Sequence, residues 1–196
     1  MTAIKELLSA AEAEVGNLES VANKKYVRDL FGSDTEGLEN DLFVDWCFAK
    51  AFGRETAKTL LHNYFEPLVM YSADYYRARE SYFNQPQIGD VVFFQKMGRV
   101  CHTGIIYHVD SEMIYTMEGD TIPGPGVREE GVYKKQHRMS SPDIDGYMRP
   151  DWGLLPVDDT YAADYDRNVL IDLKGRYYFS KNQEIGRSWS EASVGV

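Results

Sequence analysis

At 196 residues the chain has room for one domain with a proper core and a modest extension, and not for two full domains. Hydrophobic and aromatic contents of 43% and 13% belong to a folded globular protein, and no run approaches the roughly 18 apolar residues of a membrane span. The formal charge of -10 argues against a nucleic-acid partner, because phosphate binding rests on Lys and Arg, and it disfavours anionic wall polymers too.

Taken in order, Ile4, Leu7, Leu8, Ala11 and Val15 recur at helical spacing, with Thr2 as a cap and Gly16-Asn17 as a stop. The opening residues lack an uninterrupted apolar stretch and carry acids from Glu6 onward. They therefore read as a helix and not a secretory signal, which implies synthesis in the cytoplasm. Residues 31–38 hold Gly32, Ser33, Asp34, Thr35 and Gly37, a density of turn formers that predicts a surface loop. Next comes an apolar helix with Phe43, Val44, Cys47, Phe48, Ala51 and Phe52 on one broad side, begun by Asn40 or Asp41 as N-cap and stopped by Gly53. Helices are also predicted over 55–61 and 72–81, separated by Pro67.

From Pro86 the pattern changes to strands: 87–94, 100–109 and 113–117, with later ones over 127–133 and 144–148. Lys96-Met97-Gly98-Arg99 and Asp110-Ser111-Glu112 supply turns. Helices first and an antiparallel sheet second predict an α+β fold. Cys47 falls inside an apolar helix and Cys101 opens a strand, so both are expected to be reduced and unbonded. Neither a cofactor nor a structural metal site is expected, since clustered ligands are lacking.

One pair stands out. A three-residue turn centred on Ser111 sets position 102 opposite 120 and 104 opposite 118, which makes His102 and Glu118 diagonal neighbours on one face. A carboxylate there can orient an imidazole for proton transfer. His62, His108 and His137 have no such company and read as surface residues.

Several strings together resemble the papain-like CHAP group of cysteine-dependent cell-wall amidases and endopeptidases, found in phage lysins and bacterial autolysins. Many members read Trp-Cys-Asp-x-Phe-Val-Asp-Trp, and Asp41, Phe43, Val44, Asp45, Trp46 and Cys47, followed by Ala51-Phe52-Gly53, follow that helix. Asn23 to Leu30, with Tyr26, resembles the segment leading into it. Cys101-His102-Thr103-Gly104-Ile105-Ile106 resembles the His-x-Gly-Ile-Val strand, and Tyr115 to Thr121 resembles Tyr-Thr-Ile-Glu-Gly-Asn-Thr. Ile144 to Pro150 resembles the closing Ile-x-Gly-Tyr-x-Arg-Pro strand.

The resemblance covers roughly residues 3–152. It implies a papain-like fold with helices packed on the sheet, His102 as base, Glu118 as its orienting partner, and Asp120 in place of the usual Asn. It also puts Asn40 where the catalytic Cys belongs. An amide cannot replace a thiolate as nucleophile, so the implied hydrolase of peptidoglycan peptides is inactive as written. Two alternatives stay open: Cys47 as the nucleophile of an active endopeptidase, or a non-catalytic module binding wall peptide or protein. Seven residues of helix put Cys47 about 10.5 Å below position 40, inside the core, where burial raises a thiol's pKa. The expected organisation is a domain over 1–152 and an extension over 153–196, with a hairpin turning at Lys174-Gly175 as a surface for a protein partner. A lysin of this kind would act at the bacterial wall after release.

Overall fold

The computed structural model describes residues 3–32, 42–61, 65–66, 68–125 and 128–155, together with the backbone of 169–171 and 177–179. The elements are α1 (Ala3–Glu12), α2 (Glu19–Phe31), α3 (Leu42–Phe52), α4 (Arg54–Leu60) and α5 (Val69–Arg77), then β1 (Tyr82–Phe83), β2 (Val91–Lys96), β3 (Arg99–Val109), β4 (Met113–Thr121), β5 (Gly131–Arg138) and β6 (Ile144–Met148). A short turn of helix over Trp152–Leu154 follows. The strands form one antiparallel sheet in the order β1-β6-β2-β3-β4-β5, so the fold is α+β, as the sequence predicts.

Helix α3 is the centre of the helical layer. Its first seven residues, Leu42 to Phe48, are all buried, which corrects the expectation of a single core-facing side. The reason is that α1, α2 and α4 wrap the sides that the sheet leaves open. Trp46 faces α2, where its indole N–H donates to Asp29 at 3.0 Å and the Lys25 ammonium lies 4.1 Å from the ring centre. Phe48 stacks on Trp152 at 6.0 Å, so the segment after β6 is held against this helix, and Leu155 packs on the same core. Gly53 ends α3 as expected: its φ of 78° is one that side chains other than glycine's resist, and its N–H closes on the Ala49 carbonyl.

Two buried acids tie elements together. Glu14, just past α1, accepts from Lys25 at 2.6 Å, Tyr26 at 3.0 Å and Asn17 at 3.1 Å, which fixes α1 to α2. Asp90, fully buried ahead of β2, takes two bonds from Arg149 at 3.1 and 2.9 Å and one from the Gln87 amide at 2.8 Å. This planar fork binds the end of β6 to the start of β2.

The two faces of the sheet are unlike. One carries Val91, Phe93, Ile105, Met117 and Met148 into the main core under the helices. The other buries a smaller cluster, Val92, Phe94, Ile106, Ile114 and Tyr147. On a flat sheet β2 and β5 would lie three strand spacings apart, about 14 Å. Yet the rings of Phe94 on β2 and His137 on β5 are 4.5 Å apart, so the sheet curls toward this second face and shelters it.

The predicted strand over 127–133 is observed over 131–138, and β1 has no counterpart in the sequence reading. Glu129 and Glu130 stay outside the ladder as exposed residues, and pairing begins only at Gly131. The predicted helix over 72–81 is shifted to 69–77, because Ser81 turns back to bond the Tyr76 carbonyl and frees Tyr82 to pair with Met148. In the extension, Val169–Ile171 and Tyr177–Phe179 pair antiparallel, centred on position 174. The turn at Lys174-Gly175 lies outside the described residues, as do Thr2 and most of the 31–38 loop.

Candidate functional site

Three adjacent strands assemble the polar cluster of the second face. In the ladder between β3 and β4, Ile105 pairs with Met117 and Ile106 with Thr116, and continuing this register sets Gly104 against Glu118. His102 then lies diagonal to Glu118, and its Nε2 sits 2.9 Å from Oε2 of the carboxylate. The expected register is thus present at the site, by a different route. The hairpin closes between Asp110 and Met113 and pairs Val109 with Ile114, one residue off, and an irregularity between Ile106 and His108 restores the alignment.

Gly104 is what lets the carboxylate lie there. A Cβ at this position would stand 2.6 Å from Cγ of Glu118, closer than atoms tolerate. Glu118 is 2% exposed, whereas the side chains of His102 and His137 are 28% and 27% exposed, so a buried charge is held by two groups at the solvent boundary.

His137 is the residue that sequence reasoning missed. Far from standing alone at the surface, it brings Nε2 to 2.6 Å from Oε1 of Glu118 and rests its ring on Phe94. The expectation failed because β5 was placed too early. With the observed register, Glu118 opposite Tyr133 and Ile114 opposite His137, alternation puts His137 and Glu118 on one face. The Thr116 hydroxyl donates to Oε1 as well. Burial alone would push Glu118 up, but the hydrogen bonds and positive charge from His102 and His137 outweigh it and hold the carboxyl at about 2, against an ordinary 4.5. It is ionised wherever the protein is folded near neutrality.

His102 also borders a small groove at the start of α3. Leu42, Phe43 and Val44 form its floor, Glu19 and Asn23 of α2 one wall, and Cys101, Thr103 and Asp120 the other. Gly119 allows the close fit, since a Cβ there would meet Phe43 at 2.6 Å. Asp120 is exposed at the rim with φ of 48°, and its amide donates to Glu19 at 3.1 Å. The Asn23 side-chain oxygen is buried without a donor among the described residues. Residues 40 and 41 immediately precede α3, and Asn40 lies outside the described residues, as does His62.

Cys47 is fully buried in the body of α3. Burial, reinforced by the charge of Glu14 and only partly offset by Lys25, pushes its thiol well above the ordinary value. Cys101 is exposed at the groove, and neither cysteine is bonded, as expected. His108 lies at the far end of β3, its ring 5.1 Å from Tyr115. Among the described residues no group of His, Cys, Asp and Glu is arranged to hold a metal ion, and no helix is long and apolar enough to cross a membrane.

No family model, no curated protein and no solved structure matches this chain.

Proposed function

We propose that this chain is a papain-like domain for peptidoglycan peptides, with His102 as general base and Glu118 as its orienting carboxylate, lacking a nucleophile as written because Asn40 stands in the thiol's place. The observation that carries the reading is the 2.9 Å contact between His102 and a carboxylate that is ionised and buried, at the edge of a groove where a helix begins. With Nε2 committed to Glu118, proton exchange at the ring falls to Nδ1. The carboxylate steadies the imidazolium that results.

In a protein with a thiol at position 40, His102 would take the thiol proton and the thiolate would attack a peptide carbonyl. The same proton would then leave on the departing amine, and water would release the acyl group. The first turn of the helix would favour the thiolate. The rim acids Glu19 and Asp120 suit a peptide bearing a free amine better than an anionic polymer.

The unmodified chain would then act by binding wall peptide without cutting it. Cys47 is disfavoured as nucleophile by full burial and by a raised thiol pKa. The experiment is digestion of purified peptidoglycan by the unmodified protein, Asn40→Cys, and Asn40→Cys combined with His102→Ala. Activity is expected in the second alone. Digestion by the unmodified protein that Cys47→Ser abolishes without unfolding would refute the reading.

A further inference from the structure

His137 has no role in the reading above, yet it approaches the same carboxylate more closely than His102 does. It is a half-buried histidine whose ring packs on Phe94 while its Nε2 meets a buried acid. Three donors converge on Glu118: His102 on Oε2, and His137 with Thr116 on Oε1. The two imidazoles share one further neighbour, Phe94, whose ring centre lies 5.7 Å from His102 and 4.5 Å from His137. They are therefore fixed in place by packing as well as by hydrogen bonds.

We propose that His137 is a positioning residue for His102: with Thr116 it pins one oxygen of Glu118 so that the other faces His102, and its own charge decides how much of the carboxylate's charge His102 receives.

The argument is electrostatic. One carboxylate carries one negative charge, and two rings can each add a proton beside it. When His137 is neutral, the charge of Glu118 is available to steady a proton on His102. When His137 is charged, that charge sits 2.6 Å from Oε1 and compensates the carboxylate, so His102 gains less from taking a proton. Glu118 is 2% exposed, so water screens this exchange poorly.

Among the described residues, the contacts of His137 other than Glu118 carry no charge. On its own strand and face, Lys135 directs its ammonium to the Ile122 carbonyl at 2.6 Å. From β4 the facing residue is Ile114, and from β2 it is Phe94. The proposal deepens the reading of His102 and Glu118 as a working pair and rests on that pairing. It does not depend on any nucleophile.

The test follows the ring signals of His102 by NMR against pH in histidine-labelled full-length protein. Its arms are the unmodified chain, His137→Gln, His137→Phe and Glu118→Gln. Glutamine keeps an N–H near Oε1 but takes no proton, so His102 should titrate at a pH higher by about one unit than in the unmodified chain. Phenylalanine should raise the midpoint too, with a broader ring signal because Oε1 has lost a donor. An unmoved His102 midpoint in folded His137→Gln would overturn the proposal and leave His137 a structural partner of Glu118.

Glu118→Gln separates this failure from that of the underlying pair. It should lower the His102 midpoint, and if it does not, the pairing itself is wrong. Should His137→Gln fail to fold, His137→Phe decides, because it too removes the proton site beside Oε1 of Glu118. An unmoved His102 midpoint in that folded variant would overturn the proposal.

Discussion

The two faces of the sheet come from the same strands and obey different economies. Toward the helices, alternate residues of β2, β3 and β4 present Val91, Phe93, Ile105 and Met117 to a continuous apolar core. One residue further along each strand, the opposite face presents Phe94, His102, Thr116 and Glu118, where a buried charge must be matched donor by donor. The first face tolerates hydrophobic exchange of similar volume, because its interactions have no direction. The second does not, because a carboxylate that loses a donor in a buried setting keeps its desolvation cost. Stabilisation that depends on volume should therefore be concentrated on the first face, and stabilisation that depends on direction and charge on the second.

The comparison is tested most severely by removing bulk from the helix side. Phe48→Ala, which empties the contact with Trp152, should cost about 3–5 kcal/mol in urea unfolding and leave the pH response of His102 unchanged in whatever fraction remains folded. An effect on His102 would show that the faces are not separable.

Acid should find the second face. Glu118 is depressed in the folded chain, to about 2 from an ordinary 4.5, so its contribution is fully present above pH 4.5 and is lost as the pH falls through about 2. The magnitude is on the order of 3 kcal/mol. Unfolding measured from pH 6 down to pH 2 should therefore show a steep acid limb in the unmodified protein and a shallower one in Glu118→Gln. Equal slopes would mean that the carboxylate is not held as described.

A smaller loss is expected from Gly104→Ala, about 1–3 kcal/mol, as the added Cβ drives Glu118 off its place. The His102 midpoint should move with it, which a purely steric defect elsewhere in the sheet would not produce. The smallest effect concerns the thiols. Cys101→Ser should change stability by less than about 0.5 kcal/mol, and in the native protein a thiol reagent should label Cys101 promptly and Cys47 only on unfolding.

The central pairing was legible only in part: the turn residues Asp110 to Glu112 announced a hairpin between β3 and β4, but the register they implied is one residue off at the turn, and the irregularity between Ile106 and His108 that brings His102 and Glu118 onto one face leaves no mark in the sequence. The helix over 42–52 was plainer, since an apolar stretch ended by Gly53 has few other readings. What surrounds that helix was not legible, because burial on all sides depends on α1 and α2 arriving from earlier in the chain. The start of β5 was hidden for a similar reason. No periodicity marks Gly131 as a beginning; it is set by backbone contact with Asn17 and Leu18, which leaves no room for a Cβ. His137 went unseen as a consequence. Position 40, on which the reading of activity turns, is decided by residue chemistry alone.

The order β1-β6-β2 has an implication for how the protein is made. Residues 82–83 and 91–96 leave the ribosome early, yet the strand that belongs between them spans 144–148, and the arginine that clamps the start of β2 follows at 149. Until that late segment is released, Val91, Phe93 and the buried acid at position 90 have an unfilled edge beside them. The nascent chain must therefore carry its helices and first hairpin for some fifty residues with the sheet incomplete. β6, the last strand of this sheet to be made, then fills the gap between β1 and β2, so the sheet cannot be completed before residues 144–149 are released.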